Sequence, residues 1–198
     1  TAIAPEGALV VPGSSGTGFT VSSQVWRTKR GQRFFTWKGL ASMGYGLPAS
    51  AGAALGAGSK DVITVIGDGG FQLNIQELAT IVRYELPVKM FIFNNNGYLS
   101  IRATQRTYFN GRFFGSSPES GVGLPRLRKV AASYGIAWAR ISGMRGLEAK
   151  IAAVLKKKGP VLCEVMLSPD KVPLPKLSSY QNPDGSMESR PLEDMFPL

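Results

Sequence analysis

Two apolar runs, each ending in a polar turn, constrain this chain more than any other feature. Val62-Ile63-Thr64-Val65-Ile66 leads into Gly67-Asp68-Gly69-Gly70, and Val88-Lys89-Met90-Phe91-Ile92-Phe93 leads into Asn94-Asn95-Asn96-Gly97. Runs this short and rich in β-branched and aromatic residues read as buried strands. Asp68 and Asn95 stand about 27 positions apart, room for the crossover helix and second strand of a βαβ unit. Two parallel strands joined in this way carry both residues at the same carboxyl edge of the sheet, where open α/β sheets bind ligands. A carboxylate and an amide oxygen converging there are hard oxygen ligands of the kind Mg²⁺ takes, and Mg²⁺ usually brings phosphates with it. Gly69 and Gly70 let backbone N–H groups approach a phosphate closely, and the start of a following helix favours negative charge. Either box alone also fits an ordinary turn or loop; the pair at this distance points to a metal–diphosphate site.

The rest of the chain extends the same pattern. Apolar runs at 8–11, 32–36, 61–66, 88–93, 137–141 and 160–166 predict six strands. Helical patterns lie between most of them: a small-residue segment over 49–57, and 75–82 with Asn74 as N-cap. Two more are 124–134, stopped by Gly135, and 146–155, stopped by Gly159-Pro160. Alternating strands and helices predict an α/β fold, a three-layer doubly wound sheet of about six mostly parallel strands. Residues 1–167 form the expected domain. The Pro- and Ser-rich stretch 168–198 is expected to be an extended C-terminal tail packing on the domain or on a partner. Residues 94–123 lack clear periodicity but carry Tyr98, Tyr108, Phe109, Phe113, Phe114 and several arginines. Loops this long are usually functional or disordered; the aromatic content favours an active-site cover, with a short helix within 97–105. Arg102 in that helix either reaches an anionic substrate group or makes a surface salt bridge.

Composition excludes several classes. The chain has 198 residues and no histidine, which removes Ser-His-Asp and Cys-His mechanisms and histidine-ligated zinc. The single cysteine, Cys163, sits in an apolar run and reads as a packed core thiol, in keeping with a reducing, cytoplasmic setting. No apolar stretch approaches the ~18 residues of a membrane span, and no signal-peptide pattern opens the chain. Net charge is +10, but the basic clusters are dispersed and not interleaved with stacking aromatics. Neither nucleic acid nor membrane is an expected partner; an acidic partner domain is.

The Gly-Asp-Gly box followed at this distance by a double Asn resembles the cofactor motif of thiamine diphosphate (ThDP) dependent enzymes. The resemblance implies that the side chains of Asp68 and Asn95 and the carbonyl of Gly97 hold Mg²⁺. It also implies that Gly67, Gly69, Gly70 and Tyr98 lie against the cofactor. Gly39-Leu40-Ala41-Ser42-Met43-Gly44-Tyr45-Gly46-Leu47-Pro48-Ala49 resembles the acetolactate-synthase branch of that family. There a bulky apolar residue at the position of Met43 supports the bent cofactor. Backbone groups across Ala41, Ser42 and Met43 meet the aminopyrimidine. The loop Val10-Val11-Pro12-Gly13-Ser14-Ser15-Gly16-Thr17-Gly18 is not a dinucleotide fingerprint, because the glycine order differs and no acidic residue follows at ribose distance. In the family this loop meets the diphosphate, which assigns Ser14, Ser15 and Gly16 there. Acetolactate synthases commonly carry a Gln-His pair in that loop; this chain does not, so acetolactate formation itself is not implied. The ending Ser189-Arg190-Pro191-Leu192-Glu193-Asp194-Met195-Phe196-Pro197-Leu198 resembles a subgroup found with nucleotide-sugar and surface-polysaccharide pathways.

What the resemblance implies about function follows from the family's architecture. ThDP is held across an interface, and a second, pyrimidine-binding domain or subunit supplies the Glu that activates the cofactor. No residue here takes that role; Glu77 reads as structural. The chain is therefore expected to be the diphosphate- and Mg²⁺-binding domain of a 2-keto acid decarboxylase or carboligase, a lyase or transferase. It is expected to be inactive alone and to work in at least a dimer. FAD is not expected on this domain, and a flavin domain in the parent enzyme stays open. So do two alternatives: a natural small subunit of a split ThDP decarboxylase, and a non-catalytic module that keeps the fold.

Overall fold

The computed structural model describes residues 1–14, 16–37, 39–175, 177 and 179–195. Ser15 and the tail end Phe196-Pro197-Leu198 lie outside the described residues. The chain runs β1 (Leu9–Pro12), α1 (Gly16–Val25), β2 (Arg33–Phe34), α2 (Gly46–Gly56), β3 (Val62–Gly67), α3 (Asp68–Gln72), α4 (Glu77–Arg83) and β4 (Val88–Asn94). There follow α5 (Leu99–Tyr108), a 3-10 turn at Pro118–Ser120, α6 (Leu127–Ser133), β5 (Ala137–Ile141), α7 (Leu147–Leu155) and β6 (Val161–Met166). The tail adds β7 (Ser179–Gln181), β8 (Met187–Ser189) and a 3-10 turn at Leu192–Asp194.

Strands β1 to β6 form one sheet in the order β2-β1-β3-β4-β6-β5, and every neighbouring pair is parallel. All six expected strands are present, with β2 reduced to two residues. The all-parallel sheet needs cover on both faces, and the alternation along β3 divides its side chains between two cores. Val62 and Ile66 join Leu9, Val11, Met90, Ile92 and Leu162 beneath α2, α4 and α6. Ile63 and Val65 join Phe91, Ile141, Val161 and Cys163 beneath α7 and the Trp26 side chain just beyond α1. Thr64, polar but fully buried, donates through Oγ1 to the Val11 carbonyl at 2.6 Å. Each fully buried large apolar side chain contributes about 1.5–3 kcal/mol.

Several local expectations are corrected. Asn74 does not cap a helix: α4 begins at Glu77, with no side-chain cap. The Asn74 amide instead donates to the Gly44 carbonyl at 3.0 Å, tying down the loop before α2. Helix α6 starts at Leu127 rather than 124, because Pro125 disfavours helical backbone in the residue before it. Lys89, the second residue of β4, is 2% exposed. Its ammonium donates to the carbonyls of Lys157 and Gly159 beyond α7, which offsets part of the cost of a buried charge, although burial still pulls the pKa below its ordinary value. The tail contains an antiparallel hairpin of β7 and β8. It crosses α1 and α5, with Gln24 donating to the Pro175 carbonyl at 3.3 Å and the Tyr108 hydroxyl to Ser179 at 2.9 Å. Among the described residues no helix is long and apolar enough to cross a membrane.

Candidate cofactor site

Strand order reverses between β1 and β3, with β2 on one side and β4 on the other. A crevice at such a switch point, outside the carboxyl ends of the strands, is where doubly wound sheets bind ligands. Glycines bring its walls together. A Cβ on Gly46 would stand 2.8 Å from the Gly13 Cα and 3.0 Å from the Ile66 side chain. The start of α2 therefore packs directly on the loop after β1. A Cβ on Gly16 would run into the Ser100 hydroxyl, so the first turns of α1 and α5 also meet.

A cavity of about 200 Å³ lies there. The loop after β1 contributes Ser14 and Gly16, and the end of β3 contributes Gly67, Asp68, Gly69 and Gly70. The turn after β4 contributes Asn95, Gly97 and Tyr98, and Met43 comes from the loop before α2. Ala41 and Ser42 are exposed and do not line the cavity. Ala41 sits at φ +48°, a backbone conformation that suits glycine. Thr17 and Ser100 line the cavity as well. Sequence reasoning missed both; Thr17 carried a signal, because it lies within the Gly/Ser loop already singled out.

The centre of the site is Asp68, 4% exposed. One carboxylate oxygen accepts the Gly69 N–H at 2.8 Å and the other the Gly97 N–H at 3.0 Å. Burial pushes its carboxyl above the ordinary range, although these N–H groups and the Arg102 charge pull the other way. No ion pair to Asp68 exists among the described residues. A buried carboxylate without a paired cation is costly, and the cost falls when a metal ion arrives. Asn95, also 4% exposed, has a side-chain oxygen with no hydrogen-bond partner, as does the Thr17 hydroxyl. Such orphans in a native fold call for an explanation, and oxygens free in this way are available to a ligand.

The three asparagines divide the work of shaping the turn. Asn94 accepts the Asn96 N–H at 3.0 Å and donates to Glu164 on β6 at 2.7 Å. Asn96 adopts φ +60° and Gly97 φ +133°. A Cβ on Gly97 would collide with the Ser116 carbonyl and stand 2.7 Å from the Arg102 guanidinium. Gly69 faces the Tyr98 ring, leaving no room for a side chain, and the Tyr98 hydroxyl accepts from Gln72 at 3.2 Å. Arg102 forms no surface salt bridge: it is 5% exposed and donates to backbone carbonyls. A second cavity, about 360 Å³, lies on the other side of Asp68 and Asn96, with Arg126, Arg128 and Arg140 in its wall.

Among the described residues no group of three or more His, Cys, Asp or Glu side chains could hold a metal alone. A donor set of one carboxylate and one amide oxygen fits a cation that completes its shell elsewhere. Mg²⁺ does so, bound by one or two carboxylates with waters and phosphates filling the remainder.

A parallel sheet with a glycine-walled crevice at its switch point is the architecture of a ligand-binding doubly wound domain. Residues 15–165 match the family model described as "Thiamine pyrophosphate enzyme, C-terminal TPP binding domain". The chain belongs to this family of C-terminal thiamine pyrophosphate (ThDP) binding domains and is homologous to acetolactate synthases. It is 34% identical over 147 residues to the acetolactate synthase large subunit of Cyanidium caldarium, covering 74% of this chain and 25% of that protein. To acetolactate synthase 2, chloroplastic, of Nicotiana tabacum it is 31% identical over 178 residues, covering 88% of this chain and 27% of the relative. The acetolactate synthase isozyme 2 large subunit of Escherichia coli (strain K12) is 32% identical over 149 residues, 73% and 27% of the two chains. The chain thus spans about a quarter of the length of these curated relatives.

Proposed function

We propose that this chain is the diphosphate- and Mg²⁺-binding part of a ThDP-dependent 2-keto acid decarboxylase or carboligase of acetolactate-synthase type. The observation that carries this reading is the buried, unpartnered Asn95 amide oxygen beside the buried Asp68 carboxylate in one glycine-lined cavity. Asp68, Asn95 and the Gly97 carbonyl would hold the metal. Backbone groups of Gly69 and Gly70, with Ser14, Ser15 and Gly16, would face the diphosphate. Met43 and Tyr98 would bracket the cofactor body, and backbone groups across Ala41, Ser42 and Met43 would take the aminopyrimidine edge. ThDP, when bound, supplies the electron sink for decarboxylation of a 2-keto acid. The residues of this chain bind and orient it and, through the metal, neutralise the diphosphate charge.

Residues 1–167 would form the cofactor domain and 168–198 a tail packed along α1 and α5. The activating Glu would come from a pyrimidine-binding domain or subunit in a homo-oligomeric assembly, leaving the isolated chain inactive. Robust decarboxylation of pyruvate by the purified chain with ThDP and Mg²⁺ would refute that last point. The cofactor site is tested by thermal-shift titration with ThDP, Mg²⁺ and both, on the wild type and on Asp68→Ala. Saturation at 100 times the dissociation constant adds about 2.7 kcal/mol, or roughly 5–10 °C for a domain of this size. The expected shift needs both ligands and disappears in Asp68→Ala. If none is seen, the titration is repeated with the pyrimidine domain added; a second failure overturns the reading.

A further inference from the structure

Arg102 lies in the first turn of α5 and reaches back beneath the turn that carries Asn95. Its Nη1 donates to the carbonyls of Asn96 at 3.1 Å and Ser116 at 2.9 Å. Its Nη2 donates to the carbonyls of Asn95 at 2.8 Å and Pro169 at 2.6 Å. The four acceptors belong to three separate segments: the Asn95–Asn96 turn, the loop after α5 and the start of the tail. Ser116 also accepts the Tyr98 N–H at 2.9 Å, so its carbonyl binds the turn twice. Nothing anionic pairs with the guanidinium among the described residues. Its Nη1 and Nη2 meet four carbonyl dipoles, Nε has no partner, and the Asp68 carboxylate acts on the charge only at a distance; four acceptors on two nitrogens demand a fixed planar fork that a lysine ammonium lacks.

The turn held in this way has reason to relax. Asn96 is a non-glycine residue at positive φ, a conformation that persists only where its surroundings enforce it. The Asn95 and Asn96 carbonyls, both taken by Arg102, belong to the two consecutive peptides that follow the Asn95 Cα, from which the unpartnered amide oxygen projects. We propose that Arg102 is a positioning residue: its guanidinium holds the Asn95–Gly97 turn in the metal-receiving conformation and makes that conformation depend on docking of Ser116 and Pro169. This rests on the reading of the cavity as a metal–diphosphate site. It goes beyond that reading by giving a buried cation outside the proposed metal-ligand set control over the site. It also makes the loop after α5 and the tail parts of the same device.

The test uses Arg102→Lys in the full chain, which keeps the charge and loses the fork. Amide hydrogen exchange without ligand reads the clamp directly. Protection is expected to fall at least tenfold together around 95–98 and 115–117, with β3 and β4 unchanged. Calorimetric Mg²⁺ titration at saturating ThDP, with the pyrimidine domain present if wild-type binding needs it, should show the Mg²⁺ midpoint raised tenfold or more. Arg102→Ala should recover wild-type exchange in millimolar methylguanidinium. Wild-type exchange at both segments, or an Mg²⁺ midpoint within twofold of wild type, overturns the proposal. Loss of protection in β3 and β4 as well also overturns it, because Arg102 would then serve general stability. Should the wild type bind no Mg²⁺–ThDP in any setting, the cofactor reading fails, while the exchange pattern still decides whether Arg102 holds the turn.

Discussion

Asp68 combines two features that pull in opposite directions, two backbone N–H donors and deep burial, and burial dominates. Its folded pKa is raised above 3.8, so between those two values the folded state holds more protons than the unfolded one. Stability then falls with rising pH: the contribution of this group is fully present below 3.8 and lost as pH rises through the folded value. In urea unfolding without metal, the wild type is expected to lose stability relative to Asp68→Asn, which cannot titrate, across that window. A flat difference would mean that burial does not govern the group. Saturating Mg²⁺ should flatten or invert the trend, since the cation favours the carboxylate. At Gly97 the constraint is steric. Gly97→Ala places a Cβ against the Ser116 carbonyl at φ +133°. A loss of about 2 kcal/mol or more is expected, together with loss of the Mg²⁺-dependent thermal shift.

The element that presents Asp68 is the single-turn helix α3, in which Asp68, Gly69, Gly70 and Phe71 are all buried. Phe71 is 0% exposed and packs into the core beneath α2 and α4, anchoring the box from below. Phe71→Ala is expected to cost about 3–5 kcal/mol, measured by denaturant unfolding. Phe71→Leu should cost less and keep the ligand-dependent thermal shift. Elements of this kind were legible because continuous apolar runs and Gly-rich turns are local signals, and β3 and β4 fall within one residue of their expected bounds. Lys89 and Arg102 were not legible. Each is a buried cation held by main-chain carbonyls, 68 and 70 positions away for Lys89 and up to 67 for Arg102. No residue type marks such an acceptor. The hairpin of β7 and β8 escaped for a different reason: five of its six strand residues are exposed, so no apolar alternation betrays it.

At the scale of the whole molecule, the segment before α2 leaves large apolar side chains uncovered. Trp37, Leu40 and Met43 are 50%, 75% and 45% exposed, and Met43 lines the cavity. Apolar exposure at the mouth of a site suits a surface that another domain covers. Adding the pyrimidine domain is expected to shift Trp37 emission to shorter wavelength, read in a variant with Trp26 and Trp138 replaced by Phe. Unchanged emission on a verified complex would place the contact elsewhere. The chain offers a practical route to the same contact. Cys163 is its only cysteine, fully enclosed beneath the sheet, with burial pushing the thiol up to about 12. It is thus silent toward maleimides at neutral pH. A cysteine introduced at Leu40 would be the sole reactive thiol in the native chain. A dye placed there could follow partner docking and cofactor-driven assembly in real time, without first engineering away a competing site.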